Sequence, residues 1–315
     1  MKKIFLSFLF LLPLLYARDI HSVAIFTVNG FVNDFVAEEN RLFIATDRGT
    51  VDIFDLTTMS LIYQIVLEPV ENGRGERVPV RILSVDVHGG QILINGIVEN
   101  GFRAVWLFDN LRLIPIVEAS DRLIIKEARF SEKGHMVLGT FGSELIRYSI
   151  EERAPLYNKQ PADMAIGDMA MSADRKHVMM SDESGAVRII HAESGRVVRL
   201  LPSKHLDNVF HVAMGGKVIV TGGNDRKVGV FRERGNYVIR TDFPVYCVGV
   251  SPKGRTGVYL KGDAQILQLF DVETGRETDR LVGHEAVVNQ IRFLDEKRIL
   301  SSEKGPSVYL WNLSR

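Results

Sequence analysis

The sequence predicts an all-β fold, a seven-bladed β-propeller with four antiparallel strands per blade and a ring closed by the N-terminal strand. Three observations predict it. A short apolar-aromatic anchor recurs seven times, a column of β-branched residues precedes each anchor, and the chain stops one strand short of a complete last unit.

The anchor alternates two apolar residues and then usually an aromatic. Its copies end at Phe54, Phe108, Tyr148, Ile190, Phe231, Phe270 and Trp311, and successive copies are 54, 40, 42, 41, 39 and 41 residues apart. The first interval is longer by an insertion. The second column starts at Val32, Ile82, Ile125, Ile166, Val209, Val245 and Val288, each followed by further apolar residues such as Ile291 and Phe293. Turn material follows several of these starts, as in Ser251-Pro252-Lys253-Gly254. Short strands with turn punctuation, and no long helical period, read as β throughout. Four strands per unit of about 40–45 residues is the spacing of propeller blades.

Closure follows from the ends. The last unit reaches Arg315 just after its third strand, while His21 to Val28 is an apolar strand with no unit of its own. Pairing the two removes an exposed sheet edge.

The first residues read separately. Lys2 and Lys3 precede the apolar run Ile4 to Leu15, broken by Ser7 and Pro13, and Leu15-Tyr16-Ala17 fits a cleavage site. This is the layout of a secretory signal peptide over 1–17, leaving the propeller at 18–315 in the periplasm. The apolar run is shorter than the roughly 20 residues of a spanning helix, so no stable membrane insertion is expected. The other reading is an uncleaved anchor. No cysteine lies near the cut, which excludes a lipoprotein anchor.

Composition narrows the partners. The 315 residues carry 39 basic and 39 acidic side chains, and no basic stripe appears, so nucleic acid is not expected as a partner. Cys247 is the only cysteine, which excludes an intrachain disulfide and cysteine-based metal or haem sites. None of the eight histidines forms a helical His-x-x-x-His pair, and no nucleophile elbow or phosphate loop is present. No cofactor and no catalytic residue is assigned.

Two groups of residues are the candidate binding face. The residue two places into each inner strand should ring the channel mouth: Asp34, Ser84, Glu127, Asp168, His211, Cys247 and Gln290, with Asn33, Lys126, Phe210, Tyr246 and Asn289 beside them. Three carboxylates and a histidine there suit a cation or a basic peptide, while their plainer role is to solvate a water-filled channel. The insertion, Glu68 to Arg81, reads as an exposed mobile loop beside the mouth. Its Arg74, Arg77 and Arg81, with Glu71 and Glu76, are candidates for docking a protein.

The last unit carries Gly283-His284, then Val288 to Phe293, then Leu310-Trp311-Asn312, and so resembles WD-repeat propellers. The other units are degenerate. Gly305 falls near the turn aspartate of that pattern, which implies an incomplete hydrogen-bond tetrad. An exported propeller of this length also resembles the L-type accessory proteins of periplasmic nitrate reductase gene clusters. That resemblance implies a monomeric, non-catalytic scaffold whose partner is a nitrate reductase component or maturation factor. The alternatives are a hydrolase or lactonase working at the channel mouth with a divalent ion, and an envelope assembly scaffold. The first test is export: N-terminal sequencing of protein from its native host should find Arg18 first, and intact Met1 in a membrane fraction would identify an anchor instead.

Overall fold

Each repeat places β-branched and aromatic residues at period two, so each strand packs one face on the blade before it and the other on the blade after. The computed structural model describes residues 17–314 apart from 133, 203 and 263. The sequence's signal segment lies outside the described residues except for Ala17. Seven sheets surround a central channel. In blade one the strands run outward as Val32–Glu38, Arg41–Thr46, Thr50–Asp55 and Ser60–Val66. The inner strands of the next six blades are Arg81–His88, Ile125–Glu132, Ile166–Met171, Val209–Gly215, Val248–Val250 and Val288–Phe293. Helical structure among the described residues is two three-residue 3-10 turns, Glu99–Gly101 and Ala119–Asp121.

The predicted strand starts hold except in blade six. There Pro244 supplies no N–H, Val245 donates to the Gly223 carbonyl of blade five, and the strand proper begins three residues later. The core is a set of apolar layers between neighbouring blades rather than one centre. Ile146, Phe130 and Val105 fill one layer, and Val51, Ile65 and Val85 fill another.

Closure occurs as the sequence indicates, with a further step. Ala24–Thr27 pairs antiparallel with Ser307–Asn312, aligning Ala24 with Leu310 and Phe26 with Val308. Phe26 then meets Phe54 of blade one edge-on at 5.3 Å, joining both ends of the ring. The residues just before go elsewhere: Asp19–Ile20 lies parallel to Glu277–Leu281, the outer strand of blade six. Arg18 and Asp19 hold it there through Asp279 at 3.2 Å and Arg280 at 2.7 Å.

The insertion is not a formless loop. It forms a small hairpin, Val70–Glu71 against Arg77–Val78. Asn72 makes the turn, its side-chain oxygen accepting from the Arg74 and Glu76 amides at 2.9 and 3.0 Å. Leu67 and Val80 are buried in the layer between blades one and two and anchor both stems.

The tetrad of blade seven is complete, which corrects the sequence expectation. Glu303, two residues before Gly305, supplies the carboxylate. His284 Nδ1 lies 3.1 Å from Glu303, its Nε2 lies 2.8 Å from the Ser301 hydroxyl, and Trp311 Nε1 donates to that hydroxyl at 2.7 Å. Glutamate, longer by a methylene, reaches the ring from further down the strand. Blade five repeats the device without a Gly-His pair: His205 bridges Asp225 and Thr221 at 2.8 Å each. A Cβ at Gly229 would come within 2.5 Å of the Thr221 hydroxyl, so glycine is required beside this relay.

Two outcomes follow. Removing residues 18–28 opens blade seven and uncovers blade six, so the truncated protein should aggregate, and a melt matching wild type would contradict the closure. Trp311→Ala deletes a fully buried indole and its hydrogen bond, and denaturant unfolding should show a loss of about 3–5 kcal/mol.

Candidate functional site

The inner strand of each blade is a sheet edge, and its channel-facing N–H groups have no further strand to pair with. Six inner strands carry a bulge near their start, at Asn33, Leu83, Lys126, Gly167-Asp168, Phe210 and Asn289. The bulge separates two roles. Asn33, Leu83, Lys126, Phe210 and Asn289 line the channel, a cavity of about 1000 Å³. The residue after the bulge reaches the next blade, and Asp34, Glu127, Asp168, His211 and Gln290 border the same cavity as well.

Five of the seven ring residues named from the sequence thus border the channel, and the ring also ties the blades together. Asp34 accepts from the Val85 amide at 2.9 Å, Ser84 from Ala128 at 3.1 Å, and Glu127 from Met169 at 3.3 Å. Asp168 accepts from Val212 at 2.8 Å, and Gln290 from Phe35 at 3.2 Å across the closure. In each case the donor follows the next blade's own ring residue. The Cys247 thiol instead donates to the Val288 carbonyl at 3.4 Å, and His211 Nδ1 has no partner among the described residues.

Two arginines reinforce one sector. Arg129, buried, donates at 2.8 Å to Asp34, to the Val85 carbonyl and to Glu127, and so spans blades one, two and three. Below it Arg175 holds Asp86 at 2.6 Å together with the Val87 and Phe130 carbonyls. Sequence reading missed both. The alternation Ile125, Glu127, Arg129 on one strand was the available sign of a charge pair turned inward.

The electrostatics follow from burial. Burial opposes ionisation of Asp34, but Arg129, Arg292 and the Val85 amide outweigh it and hold its pKa below the ordinary carboxylate range. Glu127 ends the other way: burial, joined by the nearby Asp168 charge, outweighs Arg129 and pushes it up to about 7. Burial, with Arg292 facing it, lowers His211 to about 4. Burial alone pushes the Cys247 thiol up.

Of the other candidates, Tyr246 stands exposed at the mouth, stacked on Phe210 with ring centres 5.3 Å apart. The Lys126 ammonium donates to the Gly167 carbonyl of the next blade. Arg74 and Arg77 are exposed on the hairpin, Arg77 3.8 Å from Glu68, and Arg81 is exposed at the start of blade two. No set of three His, Cys, Asp or Glu side chains placed to hold a metal occurs among the described residues. The His205–Thr221 relay resembles a hydrolytic pairing, but both residues are shut from solvent.

What the sequence did not point to is an apolar rim. Of the large exposed apolar residues, Phe31, Ile124, Phe141, Met164, Leu206, Phe243 and Tyr246 lie on loops of the face where the inner strands begin. Met59 and Leu111 lie on loops of the opposite face, and Val23 lies on the connection into the closing strand. Single loop residues carry no periodic signal, so only the fold assembles them.

Comparison with known proteins places this geometry. The chain superimposes on the β-propeller domain of Cps50 (Swd1) from Myceliophteria thermophila with a TM-score of 0.75, over 93% of this chain and 99% of that one. This is a WD-repeat-like seven-bladed propeller. Identity with that domain is 14%, so the likeness shows the fold alone. No protein-family model and no curated protein matches the sequence. Among the described residues no helix is long and apolar enough to cross a membrane.

The ring yields two expectations. Glu127 binds a proton more readily folded than unfolded, where its value is 4.5, so its contribution to stability falls as pH rises from about 4.5 to about 7. In thermal melts between pH 5 and 8, Glu127→Gln should lack that decline, gaining relative to wild type as pH rises; parallel curves would contradict it. Cys247 should resist thiol reagents until the protein is unfolded.

Proposed function

We propose that this propeller is a non-catalytic, exported scaffold that docks a protein partner over its channel mouth, and that the partner is a component or maturation factor of periplasmic nitrate reductase. The observation that carries the docking reading is the apolar rim, concentrated on one face. Exposed apolar groups gathered on one surface are what protein association buries. The ring supports the same reading from the other side, because most of its acceptors are engaged in ties between blades rather than offered to a ligand. The rigid ring holds the rim loops in place, as suits a scaffold. The Arg74 and Arg77 hairpin stands on the same face and enlarges the surface.

Export rests on the N-terminal pattern, and the nitrate reductase partner rests on the resemblance of exported propellers of this length. No observation favours the hydrolase reading. Affinity capture from periplasmic extract of the native host, read by mass spectrometry, tests the proposal. The wild-type protein should enrich a nitrate reductase component. Phe210→Asp with Tyr246→Asp should lose it at an unchanged melting temperature, and replacing residues 70–79 by a short Gly-Ser turn should weaken it. Equal capture by the rim variant would remove the rim as the docking surface. Enrichment of unrelated proteins would remove the nitrate reductase assignment.

A further inference from the structure

At the top of blade two, one row of the sheet carries two arginines. Ile97 pairs with Arg81 on one side and with Arg103 on the other, and residues directly opposite across a sheet share a face. That row faces blade three, because the Arg103 guanidinium lies over the Phe141 ring at 5.7 Å. Arg103 is tied down from behind by hydrogen bonds from its Nη1 to the Gly101 and Phe102 carbonyls, and its Nε is buried without an acceptor among the described residues. Neither Arg81 nor Arg103 has a carboxylate partner among the described residues.

The nearby carboxylates do not neutralise this corner. Glu118 and Asp121 spend themselves capping the turn between them, the Asp121 carboxylate accepting from the Glu118 amide at 2.8 Å. Glu99 is exposed on the neighbouring turn, and Arg122 adds a further exposed cation. Burial, and repulsion from Arg81, lower the Arg103 pKa, the mark of two cations left facing each other. Against Arg103 stands the exposed Phe141. The Phe141 amide donates to the Ile124 carbonyl at 3.0 Å, so these two exposed apolar residues are neighbours on the rim.

We infer that this corner of the rim receives an acidic segment of the protein partner, whose carboxylates meet Arg81 and Arg103 while an apolar side chain beside them covers Phe141 and Ile124. The inference rests on the docking reading above and adds the partner's chemistry to it. Charge complementarity selects the occupant: two guanidiniums without counter-ions favour carboxylates, and the flanking apolar residues favour a peptide over a simple anion.

The test is fluorescence anisotropy on the full mature chain with three probes: a fluorescein-labelled peptide of repeated Glu-Phe-Glu-Leu, the same peptide with lysine for glutamate, and inorganic pyrophosphate as competitor. The acidic peptide should bind, the lysine peptide should not, and binding should weaken as salt is raised. Arg81→Gln with Arg103→Gln should weaken the acidic peptide by about tenfold at an unchanged melting temperature. Should Arg103→Gln fail to fold, the exposed Arg81→Gln alone should still weaken binding severalfold. Equal binding by the arginine variants, or equal binding of the lysine peptide, overturns the inference. Full displacement by pyrophosphate with no dependence on Phe141 would overturn it in favour of a phosphate site. If Phe210→Asp with Tyr246→Asp abolishes capture of the native partner while the arginine variants do not, this inference fails and the docking reading stands. If neither pair of substitutions affects capture, both fail.

Discussion

Every propeller blade turns a sheet edge toward the axis, and that edge must be satisfied without another strand. Here the solution is a side chain lent by the preceding blade. Asp34, Ser84, Glu127, Asp168 and Gln290 each accept from an amide one blade further on, and the bulge before each of them aims it there. The ties satisfy buried N–H groups and set the angle between neighbouring sheets in one stroke. A ring closed by one short strand depends on such ties, because Ala24–Thr27 secures a single blade.

The same constraint separates structure from recognition. Polar groups near an axial channel look like a binding site, yet a carboxylate such as Asp34, which also accepts from Gln290 at 2.7 Å, has little capacity left for a ligand. Arg129 binds three blades into one sector, at the cost of burying charges that must stay mutually compensated. The proposed docking surface lies on the loops instead. The rim adds apolar area that the ring cannot supply, and blade two adds cations with no carboxylate partner among the described residues.

Much of the fold was legible in the sequence because blade strands are short and strictly alternating, so seven anchors and seven strand starts fall into register. The positions of the ring residues beside the channel were legible for the same reason, but their ties to the next blade were not. A one-residue bulge at Asn33 or Lys126 lets the next residue, Asp34 or Glu127, reach the neighbouring blade while still bordering the channel, and nothing in a period-two pattern marks it. Asp19 and Ile20, just before the predicted closing strand His21 to Val28, pair with Arg280 and Leu281 of blade six, and this was not legible because those partners lie far away in sequence. Glu303 replaced the expected turn acid because reach, not position, decides a hydrogen bond. Phe141, Leu206 and Phe243 are isolated loop residues and converge only once the ring is closed.

Amide hydrogen exchange measured residue by residue tests most directly whether side chains from one blade satisfy the edge of the next. The amides of Phe35, Val85, Ala128, Met169 and Val212 lie on the inner sheet edges and should exchange as slowly as amides inside the sheets. Asp34→Ala should then speed exchange at Val85 while Ala128 and Val212 stay protected. Fast exchange at these five amides in the wild-type protein, or an unchanged Val85 in the variant, would contradict it.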